Sequence, residues 1–207
     1  MEQVNQSYNP NIPLEFMLDL ETMGLSNNAA IIAIGCVAFQ HNLETCESTL
    51  IDTFYKNVNL ASAVKCGLVM EPDAVLWWLQ QSEEARNEIV LRDLEALPIT
   101  EALAQFTVWV NKITKTHPTE QYKIWGNGAD FDLVLLKEAY RLCLHMQAPW
   151  GFRSQRCYRT LLAEYKHLLT VPPPTNPNKH NALADAIYQA DILWVLRNMI
   201  NGKPGEK

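Results

Sequence analysis

The sequence predicts a single α/β domain in which a mixed central sheet is flanked by helices. Strand-like segments crowd the first third, one more strand-like segment stands between helical patterns, and helices fill the remainder. A chain of 207 residues, 48% of them hydrophobic, can bury one core of ordinary size. We expect one domain over residues 14–201, preceded by a polar segment (1–13) and followed by a short tail (202–207).

Three strands are predicted at the start of the chain. Residues 15–21 and 29–39 are apolar enough for buried strands, and residues 49–58 alternate between apolar and polar side chains. The short connections between them favour an antiparallel meander. A fourth, short strand is predicted at 122–125, where Gly126 and the residues after it end the pattern.

Helical periodicity dominates from residue 71 onward. Prolines 172–174 and 177 break the pattern between the last two helices. The predicted helices cover residues 71–81, 82–90, 99–114, 132–144, 153–169 and 182–199.

The composition excludes several classes of protein. A net charge of -6 argues against a protein that grips nucleic acid through a broad basic surface. None of the five cysteines forms a C-x-x-C pair, so neither a disulfide framework nor a zinc site is predicted. With neither a secretory signal nor an apolar run long enough to cross a bilayer, we expect a cytoplasmic protein with no membrane partner.

The first predicted strand carries two acids on one face. Because side chains alternate along a strand, Asp19 and Glu21 project to the same side. On a buried strand their charges are costly unless cations neutralise them, whereas an edge strand with a solvated acidic face is the simpler alternative. The turn that follows contains Gly24, which is free to take a positive φ, and a substrate could approach the backbone there.

Two further segments add acids and a histidine. Asp130 and Asp132 stand at the start of a predicted helix, where an acid is often only a cap. Within one regular helix His180 and Asp185 would point about 140° apart, so His180 must lie in the loop or N-cap region to meet Asp185. Each segment alone fits an ordinary structural explanation, and only their ordered coincidence favours a common site.

The combined set suits a particular chemistry. Carboxylate oxygens are the ligands that magnesium and manganese prefer. Two such ions can activate a water and stabilise the leaving oxygen in phosphodiester hydrolysis. A histidine that titrates near neutrality can accept the proton of that water.

The three segments resemble motifs of the DEDDh branch of the ribonuclease H-like exonucleases. Residues 19–24 (DLETMG) resemble its D-x-E-T-x-G motif, and residues 127–132 (NGADFD) are similar to N-x-x-F-D with one residue added. Residues 180–185 (HNALAD) match H-x-x-x-x-D. Residues 77–82 (WWLQQS) and 125–128 (WGNG) are similar to small phage and bacterial members, some described as exodeoxyribonuclease VIII-like and others as exoribonucleases.

The resemblance implies a ribonuclease H-like fold and a 3'-5' exonuclease that uses two divalent metal ions, Mg2+ or Mn2+. The partner would be DNA or RNA with a free 3' end, from which nucleoside 5'-monophosphates are released, and members often form homodimers. The implied metal ligands are Asp19, Glu21, Asp132 and Asp185, with His180 as general base. We choose Asp132 over Asp130 because the motif acid directly follows the aromatic residue, and we expect Asp130 to be a helix cap or a neighbour of the site.

Residues around these motifs are candidates for contacts with substrate. Met23 and Phe131 offer surfaces for stacking or wedging terminal bases, with core packing as the alternative. The Trp77–Trp78 pair is predicted to be core or dimer interface rather than a base platform, since adjacent helical residues diverge by about 100°. The full set of candidate substrate-binding residues is Thr22, Met23, Gly24, Asn127 and Phe131.

Three arginines form a basic stripe. Arg153, Arg156 and Arg159 recur at three-residue spacing and could steer phosphates or form a solvated helix face.

Two other functions are alternatives to an exonuclease. They are a non-catalytic nucleic-acid-binding module of the same fold and a small-molecule nucleotide phosphohydrolase.

Overall fold

The computed structural model describes residues 9–83, 86, 95–119, 122–169 and 180–202. Within them, the strands are β1 (Glu15–Thr22), β2 (Ile31–Asn42), β3 (Glu47–Asn57), β4 (Lys123–Gly126) and β5 (Gln155–Cys157). These five strands form one sheet in the order β3-β2-β1-β4-β5. The first three strands pair antiparallel, as the meander prediction required, whereas β1 with β4 and β4 with β5 pair parallel.

Six α-helices accompany this sheet in the part of the chain that the structure describes. The helices are α1 (Leu60–Lys65), α2 (Pro72–Leu79), α3 (Ile99–Thr116), α4 (Asp132–Ala139), α5 (Tyr158–Tyr165) and α6 (Ala182–Ile200). A π-helical turn, Tyr140–Leu144, continues α4. The 3-10 turn Phe152–Ser154 precedes β5, and the 3-10 turn Lys166–Leu168 follows α5.

The alternation of side chains along β1 divides the core into two layers. Phe16 and Leu18 face a cluster that includes Phe106 of α3. Met17 faces the opposite cluster, to which α6 contributes Leu193 and other apolar residues. Since odd-numbered residues of β1 share one face, the acids of the first motif lie on the side covered by α6.

Three features differ from the expected elements. The continuous helix predicted for 153–169 is wrong, because residues 155–157 pair with β4 at the sheet edge, a non-local contact that helical periodicity does not report. The helix predicted for 132–144 changes to a π-helical turn at Tyr140, whose hydroxyl donates to the carbonyl of Leu103 at 2.8 Å. Helix α1 was not predicted, since six residues carry little periodicity.

Several expectations lie outside the described residues. These are most of the helix at 82–90, the prolines at 172–174 and 177, and most of both chain ends. Across the residues that are described, no helix combines the length and apolar character required to cross a bilayer.

Candidate active site

Three carboxylates meet where β1 passes under the start of α6. Asp19 and Glu21 extend from β1, and Asp185 extends from the first turn of α6. One oxygen of each lies within 4.8 Å of the others, an arrangement that could hold a metal ion. The predicted convergence of the first and third motifs is therefore present.

A glycine allows α6 to come this close to the sheet. Gly35 of β2 pairs with Asp19, and a Cβ on it would lie 2.2 Å from the carbonyl carbon of Ala182. The N-cap residue Asn181 caps the first turn with its side-chain oxygen and donates to the hydroxyl of Tyr55 at 3.3 Å. Sequence reasoning missed Gly35, although a glycine inside a strand signals close backbone approach.

The charge of Asp19 is destabilised by its surroundings. Burial raises the pKa of Asp19 well above its usual value, and the neighbouring carboxylates of Asp132, Glu21 and Asp185 raise it further. Gln189 opposes this by donating its Nε2 to Oδ1 of Asp19 at 2.8 Å. Gln189 was also missed, although it lies four residues after Asp185 and thus on the same side of α6.

Asp132 lies beside the group of three rather than within it. It is 1% exposed at the first position of α4, and its Oδ2 accepts a hydrogen bond from the backbone N–H of Asn127 at 2.6 Å. Burial raises the pKa of Asp132 to about 6, against the opposing effects of backbone hydrogen bonds and of Arg159. Its carboxylate is near enough to raise the pKa of Asp19.

The neighbouring acid, Asp130, is exposed. Helix α4 has Phe131 as its N-cap residue and no side-chain capping bond, so of the two roles expected for Asp130 the helix cap is wrong and the neighbour of the site is left. The sharp backbone at Phe131 begins the helix without such a bond, with φ at -117° and ψ at -104°.

His180 lies directly before the N-cap residue of α6, as the loop placement predicted. Its φ is 67°, and its backbone N–H donates to Oδ2 of Asp185 at 3.0 Å. Its imidazole meets the rings of Trp77 and Trp78 edge to face. The histidine is thus tied to the acidic cluster through its backbone.

The turn after β1 is organised differently from the expectation. Gly24 is absent from the glycines with positive φ, and a Cβ on it would lie 2.8 Å from the carboxylate of Glu71. The carboxylate of Glu71 accepts hydrogen bonds from the backbone N–H groups of Leu25 and Ser26, at 3.0 and 2.8 Å. Gly24 therefore does not use its freedom to take a positive φ, and its missing Cβ instead leaves room for the side chain of Glu71. Thr22 closes the turn by donating its hydroxyl to the carbonyl of Gly24 at 2.8 Å.

Neither of the two candidate base-stacking residues lies fully exposed on the surface. Met23 is 5% exposed and belongs to the core cluster beneath α3, which is the alternative its prediction left open. Phe131 is partly buried and packs against the same cluster. Asn127 contacts Asp132 through its backbone N–H.

The three arginines of the basic stripe separate into different environments. Arg156 donates Nη1 to the backbone carbonyls of Arg153 and Gln155, both at 2.8 Å. The guanidinium of Arg153 lies over the ring of Phe152, 5.5 Å from its centroid. Arg159 instead reaches the loop before α4, where a Cβ on Gly128 would lie 3.9 Å from its Nη1. Arg159 also opposes the rise in the pKa of Asp132, so among the three arginines it is the one shown to act on a carboxylate of the site.

Most of the chain is similar to a known protein family. Residues 14–196 match the family described as the 3'-5' exoribonuclease Rv2179c-like domain. The chain belongs to this family. It is therefore a 3'-5' exonuclease, the class of enzyme that the three motifs predicted.

A relative and a solved structure extend the comparison. An exodeoxyribonuclease of Enterobacteria phage T4 is 29% identical in an alignment that covers 87% of this chain and 87% of that protein. The crystal structure of cell-death related nuclease 4 (CRN-4) aligns with a TM-score of 0.63 and 15% identity. That alignment covers 94% of this chain and 66% of CRN-4, so this chain spans just under two thirds of its length.

These similarities confirm the fold, and the names of the similar proteins refer to two different polymers. The CRN-4 comparison, together with the mixed five-stranded sheet, shows the ribonuclease H-like fold that the motifs predicted. The description of the family names RNA as substrate, whereas that of the phage relative names DNA.

Proposed function

We propose that this exonuclease removes nucleotides from the 3' end of single-stranded or 3'-overhang DNA or RNA and releases nucleoside 5'-monophosphates. Two divalent ions, Mg2+ or Mn2+, are bound by the carboxylates, and His180 is the general base. The proposed metal ligands are Asp19, Glu21, Asp132 and Asp185.

The observation that carries this proposal is the acidic cluster beneath α6. Three carboxylates with oxygens within 4.8 Å, and a fourth that acts on Asp19, concentrate negative charge in a partly buried place. The raised pKa of Asp19 indicates that ionising all of them is unfavourable without added positive charge. Oxygen donors fit Mg2+ and Mn2+. The chemistry that two such ions would supply, held by these carboxylates, is activation of a water and stabilisation of the leaving oxygen.

The chain's own residues orient the groups around that centre. Gln189 holds one oxygen of Asp19, and the N–H of Asn127 holds one oxygen of Asp132. His180 accepts the proton of the attacking water, a role available to a neutral imidazole. Arg159, at the rim, is placed to bind a backbone phosphate of the substrate.

The decisive assay uses 5'-labelled single-stranded DNA, single-stranded RNA and duplexes with 3' overhangs, each with Mg2+ or Mn2+. We expect a ladder of products shortened from the 3' end, which a mononucleotide hydrolase does not generate, and we expect a chelator to stop it. Comparing rates on DNA and RNA identifies the preferred polymer. Intact substrate in every reaction, with protein shown to be folded, would refute the proposal.

The neighbouring acids of the second motif provide a matched pair of variants. Asp132→Asn alters a residue that is 1% exposed and acts on Asp19, whereas Asp130→Asn alters an exposed one. We expect Asp132→Asn to abolish the ladder and Asp130→Asn to retain it. The reverse pattern would show that Asp130 is the ligand.

A further inference from the structure

An aromatic pair lies against the imidazole of His180. The ring centroids of Trp77 and His180 are 5.1 Å apart with planes at 85°, and those of Trp78 and His180 are 5.9 Å apart with planes at 77°. The two indoles also meet each other edge to face at 4.9 Å. Such near-perpendicular contacts are a favoured geometry for aromatic rings. We call Trp77 and Trp78 the indole pair.

The indole pair is anchored to the end of the strand that carries the acids. Trp78 is 5% exposed, and its Nε1 donates to the backbone carbonyl of Thr22 at 3.0 Å. Thr22 directly follows Glu21 in β1. Through this bond and its burial, Trp78 is fixed relative to the carboxylates, and it supports Trp77 in turn.

The backbone of His180 is also held near the acids. Its left-handed φ of 67° is a conformation that residues other than glycine adopt infrequently. The hydrogen bond from its N–H to Asp185 supports this conformation. The backbone alone leaves the imidazole free to rotate about its side-chain bonds, so a second contact is needed to orient the ring.

We propose that the indole pair positions the His180 imidazole for proton transfer, with Trp77 as the member of the pair that can be substituted. The inference rests on the proposed role of His180 as general base. Trp77 and Trp78 are positioning residues, since they act through His180 rather than on the reacting atoms. The sequence alone favoured core or dimer interface for this pair. Trp78 does belong to the core, whereas Trp77 is 43% exposed and contacts His180.

Trp77 is the residue to vary, because Trp78 is buried and its loss risks the fold. We compare Trp77→Ala, Trp77→Phe, His180→Ala and the double variant of Trp77→Ala with His180→Ala in full-length protein, using labelled single-stranded oligonucleotides with Mg2+. Leu76→Ala is the matched control, since Leu76 precedes Trp77 in α2 and is 57% exposed.

The expected result separates orientation from binding. We expect Trp77→Ala to lower kcat about tenfold or more with KM unchanged, since misplacing a reacting group by about 1 Å can cost roughly 100-fold. Trp77→Phe should restore most of kcat by supplying another aromatic edge. Leu76→Ala should match wild type. In the His180→Ala background, Trp77→Ala should have no further effect, because the group that it positions is gone.

Other outcomes overturn the inference. A rise in KM that persists in the His180→Ala background would show that Trp77 contacts substrate instead. Equal kcat for Trp77→Ala and wild type would show that the contact has no catalytic effect.

A spectroscopic measurement tests the contact without reference to activity. In the nuclear magnetic resonance spectrum, the ring protons of His180 should be shifted by the adjacent indoles. Trp77→Ala should move these signals, and Leu76→Ala should leave them in place. An unchanged shift in Trp77→Ala overturns the inference. If the shift changes but His180→Ala keeps wild-type kcat, the proposed general base is wrong while the positioning contact exists.

Discussion

Carboxylates lie at both ends of the face of β1 that α6 covers, but the charges of the neighbouring groups have opposite signs at the two ends. At one end, Glu15 is 2% exposed, and its carboxylate accepts hydrogen bonds from Nη1 and Nη2 of Arg197 at 2.7 and 2.8 Å. Trp125 donates its Nε1 to the same carboxylate at 2.7 Å, and Lys123 Nζ lies 3.8 Å from it. At the other end, the charges that act most strongly on Asp19 are carboxylates.

The pKa values of the two acids follow this difference. Burial alone would raise the pKa of Glu15, but Arg197, Lys123 and the Trp125 hydrogen bond outweigh it and lower that pKa below its usual value. Burial and three like charges raise the pKa of Asp19. A buried acid paired with its own cation is a structural element, whereas an acid whose strongest neighbouring charges are other carboxylates is suited to bind a cation from solution.

Removing the charge of Asp19 should have the largest effect on activity. We expect Asp19→Asn to lower kcat on the order of 10³-fold, as expected when a group that holds a catalytic ion is lost. Its thermal stability without metal should equal or exceed that of wild type, because repulsion among the carboxylates falls. Exonuclease assays and melting curves with and without Mg2+ measure both. A large drop in metal-free Tm would contradict the comparison.

Glu15→Gln makes the same change of acid to amide at the structural end. We expect it to destabilise the fold by about 3 kcal/mol, because removing one partner leaves the charge of Arg197 uncompensated beneath α6. Activity per folded molecule should be retained. Denaturant unfolding and exonuclease assays of Glu15→Gln beside Asp19→Asn should therefore give opposite patterns, and equal patterns would abolish the distinction between the two ends.

The sequence was informative where the determinants are local and failed where they are not. Alternation put Asp19 and Glu21 on one face, and helical geometry placed His180 before α6, because both depend only on neighbouring residues. Glu15, by contrast, is an unremarkable acid in the sequence, since its partner Arg197 lies 182 residues away. Gln189 lies 170 residues from Asp19. Such distant pairings arise only when α6 packs on the sheet.

Gly35 controls how α6 spans the two ends, and Gly35→Ala should therefore affect both activity and stability. A Cβ there would meet the backbone of Ala182, which cannot rotate away as a side chain could. We expect a loss of about 1–3 kcal/mol, with kcat reduced roughly 100-fold because Asp185 shifts relative to Asp19. Unfolding curves and exonuclease rates provide the measurement.

The matched control for Gly35→Ala is Gly151→Ala. Apart from its two chain neighbours, no atom of the described residues lies within 4 Å of a Cβ placed on Gly151, whose φ is -81°. It should preserve both stability and rate. A Gly35→Ala variant with wild-type kcat would show that the approach of α6 does not set the geometry of the acids.

The structural end should also respond to acid, because His41 lies beside Arg197. Nδ1 of His41 is 3.2 Å from Nη1 of Arg197, so the imidazole is an acceptor there and is neutral. Burial lowers the pKa of His41 to about 3, with further lowering by Arg197 and Lys123 and an opposing effect of Glu15. An unfolded histidine titrates near 6.5 and binds a proton that the folded state excludes.

The sign of the pH dependence follows from that proton. Between about pH 6.5 and pH 3 the unfolded state binds more protons, so stability falls as pH falls, by up to about 1.4 kcal/mol per unit. Glu15 adds a loss of the same sign only below its usual pKa of 4.5, whereas Asp19 and Asp132, whose pKa values are raised, contribute with the opposite sign. The contribution of His41 is therefore the difference in slope between wild type and His41→Asn from pH 7 to pH 5. His41→Asn, which keeps an acceptor for Arg197, should flatten that slope. The exposed His145 supplies the control His145→Asn, expected to keep the wild-type slope, and a slope unchanged in His41→Asn would remove His41 from the acid response of this end.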